Sequence, residues 1–115
     1  MAKQVHQPRE DAEFDFILRM SRVPVLAYFI GTWPKAIEPC RAMDLVIGDV
    51  ADEYTGRLTV VRTDIARCPV ATKRYEVTGA PSYVLLKAGE AGEAVAHGSG
   101  LMTGAELRGL LEEHL

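Results

Sequence analysis

A nearly unbroken apolar run, Val23-Pro-Val-Leu-Ala-Tyr-Phe-Ile30, sets the architecture of this chain. It has no polar face, so it reads as a strand covered on both sides, the kind found at the centre of an α/β sheet. The run stops at Gly31, passes Trp33-Pro34, and restarts as a helix predicted to begin at Pro39-Cys40. Where such a strand opens through a loop into a helix, outward-pointing N–H groups and the helix dipole favour an anion. Cys40 stands at that predicted helix start, and the loop before it carries the only tryptophan of the chain.

A chain of 115 residues buries one core and not two. Its 13 basic and 16 acidic side chains leave a net charge of −3, which argues against a nucleic-acid partner. No apolar run approaches the ~18 residues of a membrane span, so no membrane partner is expected. The polar start MAKQVHQPREDAE lacks the apolar segment of a secretory signal. Cys40 and Cys68 are too few and too far apart for a disulfide framework or a zinc site, and His6, His97 and His114 are scattered. A reducing, cytoplasmic setting is expected, with no metal and no cofactor.

Residues 1–8 are polar and end in a proline, and are expected to be a flexible tail before a single domain spanning 9–115. A helix is predicted over 9–20, with Asp11 and Glu13 suited to its dipole. After the strand from Val23 to Ile30, residues 31–38 read as loop. Met43, Val46, Ile47, Val50 and Ala51 then recur at helical spacing, with Pro39 placed at the first turn, where a missing N–H costs nothing. A strand over 58–64, a short helix over 69–75 and a turn at 77–81 follow. Strands over 82–87 and 94–98 flank a glycine-rich hairpin at 88–93. Thr103 with Glu106 three residues on forms a capping box for the last helix. Strands linked through helices are parallel, and the last two form an antiparallel hairpin. The expected fold is α/β, a mixed sheet of four to five strands with helices on both faces.

This order resembles the thioredoxin family, and four landmarks carry the resemblance. Phe29 and Trp33 resemble the aromatic lead-in to its active site. Pro39-Cys40-Arg41 resembles the second half of its Cys-Gly-Pro-Cys motif with the basic residue that follows. Val77-Thr-Gly-Ala-Pro81-Ser resembles the segment carrying the family's cis-proline. Gly100, followed by Thr103, Leu107 and Leu110, resembles its glycine and final helix. The resemblance covers the chain from about Phe14 onward.

The departures fall on the reacting groups. Counted back from Cys40, the family's nucleophilic cysteine falls on Ile37, and the motif reads Ile37-Glu38-Pro39-Cys40. Three residues more than in the family separate Trp33 from Cys40, implying a lengthened active-site loop. The family's buried aspartate falls on Tyr28, and its lysine partner on Arg62. Dithiol exchange needs one thiolate to attack and a second to resolve the mixed disulfide. Here the resemblance leaves only the resolver.

Three roles stay open for Cys40: a small buried hydrophobe, a monothiol exposed by the longer loop, or one half of a Cys40–Cys68 disulfide. The resemblance implies a relative of thiol–disulfide oxidoreductases with altered or lost dithiol activity, acting on a protein or a small thiol such as glutathione. The alternative is a non-catalytic peptide-binding or chaperone module. In the family, the backbone before the cis-proline pairs with an extended substrate, which needs no cysteine. Gly79, Ala80 and Pro81 are the expected groove, with Trp33, Ile37 and Pro39 as its apolar border.

Overall fold

A computed structural model describes residues 5–89 and 92–115. The elements in chain order are β1 (Val5–His6), α1 (Asp11–Met20), β2 (Val25–Ile30), α2 (Pro34–Glu53) and β3 (Thr59–Asp64), followed by α3 (Pro69–Arg74), β4 (Ser82–Leu86), β5 (Ala94–Ser99) and α4 (Gly104–Glu112). The five strands lie in the order β1-β3-β2-β4-β5, with β1 and β2 parallel to β3, and β4 antiparallel to both β2 and β5. The apolar run that opens the argument is the central strand, and all of Val25–Ile30 is buried.

Alternation along β2 divides the core into two layers. Leu26, Tyr28 and Ile30 face α2 and α4, together with Met43, Ile47, Leu107 and Leu111. Val25, Ala27 and Phe29 face the other side, with Phe14 and Leu18 of α1 and Ala71 of α3. The final helix starts as its sequence dictates: Glu106 N–H donates to Thr103 Oγ1 at 3.0 Å, and Thr103 N–H to Glu106 Oε1 at 2.9 Å.

Two expectations are corrected. The tail expected over 1–8 contains a strand: Val5 and His6 pair with Val60 and Val61 of β3, and Pro8 is buried. Two residues have no periodicity of their own, so this strand exists only through its partner. The loop expected over 31–38 is mostly helix. Trp33 is the N-cap of α2, Pro34 occupies its first turn, and Pro39 lies inside the helix. The buried stripe of α2 runs Ala36, Cys40, Met43, Ile47, Val50, continuing the helical spacing back beyond Pro39. The three extra residues therefore add nearly one turn of helix rather than a longer loop. The hairpin expected at 88–93 includes residues 90 and 91, which lie outside the described residues.

The end of α3 stores backbone strain. Val77 N–H bonds Thr72 C=O and Glu76 N–H bonds Lys73 C=O, both at 3.0 Å, a Schellman closure with Glu76 as its left-handed residue at φ 57°. A side chain in that conformation costs about 1 kcal/mol relative to glycine. Glu76→Gly is expected to raise the unfolding free energy by about 1 kcal/mol, or ~4 °C in Tm. Urea unfolding checks this, and an unchanged or lower midpoint would contradict the assignment.

Candidate functional site

The C-terminal ends of β1, β3 and β2 and the start of β4 meet at one end of the sheet. Cys40 sits there, but nearly two turns inside α2, about 9 Å along the axis from its first residue. Dipole effects act within the first turn, so this thiol lies beyond the usual activating position. It belongs to the buried stripe and is only 4% exposed. Ile37, one turn earlier, is 41% exposed, and the two line a common cleft of about 200 Å³ with Arg41, Asp44 and Arg62. Trp33 is 43% exposed. Its ring lies over Gly31, where a Cβ would come within 2.2 Å of it, so the glycine makes room for the indole.

Beneath the cleft is a polar hub that the sequence did not signal. Asp44 accepts from Arg62 Nε at 3.0 Å and Nη2 at 3.2 Å, a bidentate pair, and from the Tyr28 hydroxyl at 2.9 Å. That hydroxyl also lies 2.8 Å from Cys40 C=O, shared between the two acceptors. Burial first, then the Asp44 carboxylate, holds the Tyr28 phenol protonated well above its ordinary range. Tyr28 is therefore a donor, and does not accept a thiol proton as a carboxylate would. Tyr83 stacks on it at 5.8 Å between centroids, and burial followed by the neighbouring Cys40 raises its pKa too. Hydrogen bonding to Asp44 keeps Arg62 charged.

The Ala80–Pro81 peptide bond is cis. Gly79 C=O accepts from Ser82 Oγ at 2.7 Å, and Pro81 C=O accepts Gly100 N–H at 2.9 Å, with Gly100 at φ 75°. Among the described residues the Ala80 N–H and C=O have no backbone partner. Ala80 packs against the core layer that holds Cys40.

Thus Ile37 and Cys40 share a cleft, while Trp33 stands over Gly31 at its border. Pro39 is half-buried within the helix, and Gly79, Ala80 and Pro81 lie outside that cleft at the start of β4. The Cys40–Cys68 disulfide considered from sequence is absent. Both thiols are free, and they pack in the two core layers on opposite faces of the sheet. The monothiol made accessible by a longer loop is also corrected, because the added residues are helical and cover Cys40.

Burial, then the Asp11 and Asp64 carboxylates, pushes the Cys68 thiol from 9.0 up to about 11. A folded pKa above the unfolded one gives stabilisation that is complete below pH ~9 and is lost as pH rises through about 11. The wild-type unfolding free energy is expected to fall more steeply than that of Cys68→Ala between these limits. Parallel pH profiles would contradict this.

Residues 5–113 match the thioredoxin family model. Thioredoxin of Acidithiobacillus ferridurans is 31% identical over 105 residues, covering 91% of this chain and 92% of that protein. Thioredoxin 1 of Chlorobaculum tepidum is 33% identical over 76 residues, covering 66% of this chain and 72% of its own. Thioredoxin C-2 of Corynebacterium nephridii is 25% identical over 105 residues. With the five-stranded mixed sheet and helices on both of its faces, these matches place the chain in the thioredoxin family.

Proposed function

We propose that this protein works by binding an extended segment of a partner protein and has lost dithiol exchange. The observation that carries this is Cys40 at 4% exposure inside α2, with Cys68 on the opposite face of the sheet and Ile37 where an attacking thiol would stand. An exchange cycle needs an accessible thiolate and a second thiol within reach, and the burial of Cys40 and the placement of Cys68 across the sheet support its loss. The groove asks only for backbone and apolar surface. Among the described residues the Ala80 N–H and C=O have no backbone partner, and Trp33 and Ile37 offer exposed apolar area at the same end of the sheet.

Insulin disulfide reduction with dithiothreitol as donor tests this, using wild type and Cys40→Ala. Alanine keeps the buried position apolar where serine would bring an unpartnered hydroxyl. Equal rates at the uncatalysed background are expected for both. A wild-type rate above background that Cys40→Ala abolishes would restore thiol chemistry and overturn the proposal.

A further inference from the structure

The sheet ends in two edge strands that differ in how they meet solvent. At one edge β1 is two residues long and is followed by the buried Pro8, so it offers little to another chain. At the other, β5 runs six residues, Ala94–Ser99, and contains no Lys, Arg, Asp, Glu or Pro. Those are the residues that ordinarily keep an edge from pairing. A register shift between Leu85 and Leu86 irregularises only its first half and leaves Ala96–Ser99 in regular pairing with β4.

The hydrogen-bond pattern shows which groups the edge presents. Gly100 N–H donates to Pro81 C=O at 2.9 Å, and antiparallel pairing alternates from there. Gly98 opposite Tyr83 and Ala96 opposite Leu85 therefore turn their N–H and C=O toward β4. His97 and Ser99 turn theirs to the open side, and among the described residues no loop or turn backbone bonds them. Both residues are exposed.

We infer that β5 pairs antiparallel with β5 of a second copy of this chain, about a two-fold axis at Gly98. In that register His97 stands opposite Ser99 of the second copy, and Ser99 opposite its His97. Each of these two pairs exchanges both of its N–H···O=C bonds, and the side chains set together are a polar imidazole and a hydroxyl. Gly98 meets itself at the axis, in the closely spaced kind of pair, where neither copy carries a side chain. Charge favours a second copy as the occupant. On a self-pairing edge like charges gather near the axis and repel. Charged residues make up 25% of this chain, yet β5 has none. A strand of about 20 Å gives a contact at the small end of specific interfaces, so association depends on concentration.

Sedimentation velocity from about 10 μM to about 1 mM tests this, a range that spans weak dimers. Wild type is expected to pass from monomer to dimer, with no larger species. His97→Lys/Ser99→Lys sets like charges opposite each other in both pairs, and is expected to weaken association about tenfold or more. His97→Glu/Ser99→Glu is expected to do the same. An equimolar mixture of the two variants is expected to pair again, because each charge then meets its opposite. Unchanged melting temperatures in dilute solution verify the variants' folds. Wild type alone supplies a second reading: amide exchange at His97 and Ser99 is expected to slow as concentration rises. A wild type that stays monomeric throughout, or a dimer that both variants leave intact, would overturn the pairing. Species larger than a dimer, or a mixture that stays monomeric, would overturn the two-fold register. Exchange at His97 and Ser99 that is independent of concentration while a dimer forms would place the contact elsewhere and overturn the inference.

Discussion

The carboxylate of Asp44 joins side chains from three elements, α2, β2 and β3. From α2 it accepts the guanidinium of Arg62 on β3 and the hydroxyl of Tyr28 on β2. The side chains of Arg62 and Asp44 are 30% and 36% exposed, so water screens the pair and its net contribution is about 1 kcal/mol. Its larger effect is positional. The bidentate geometry fixes how α2 lies across the strands, and the Tyr28 hydroxyl meets the helix at Cys40 C=O. Cys40 is held in the core layer, and Arg62 is held in the wall of the Cys40 cleft. Removing Asp44 would take from the half-buried Arg62 guanidinium its charged partner and from the buried Tyr28 phenol one of its two acceptors.

Pro39, Cys40 and Pro81 stand in the order that the family resemblance implies, and Cys40 is buried within α2. The residues between Trp33 and Cys40 extend α2 backward, so the helix start lies at Pro34, distant from the thiol. Tyr28, held protonated, donates to Asp44 and Cys40 C=O. Cys40 is buried, and among the described residues the Ala80 N–H and C=O have no backbone partner. In the proposed function, binding survives the loss of thiol chemistry.

Features set by neighbouring residues were legible in the chain, and features set by distant ones were not. The β2 run announces a covered central strand because burial on both faces demands continuous apolarity. The Thr103–Glu106 box announces α4 because both bonds close within one turn. Val5–His6 gives no such sign, since a two-residue strand depends on pairing with β3 more than fifty positions away. The start of α2 was ambiguous because Pro34 and Pro39 are both acceptable in a first turn. Ala36 resolves it, by extending the buried stripe back from Cys40. Asp44 sits one helical turn after Cys40, a spacing that suggests a shared face, but its partners on β2 and β3 are fixed only by the sheet order. The same holds for the two cysteines, whose separation onto opposite faces follows from topology.

The central claim, that binding proceeds without the thiol, is tested most directly by measuring the affinity of one extended peptide, selected by phage display on the wild-type protein, under reducing and oxidising conditions. Wild type and Cys40→Ala would be compared by fluorescence anisotropy, with dithiothreitol and then with an oxidant. A single Kd shared by both proteins in both conditions is the expected result. Binding that requires oxidation, or that disappears in Cys40→Ala while the variant remains folded, would show that the partner is captured through Cys40 and would contradict the claim.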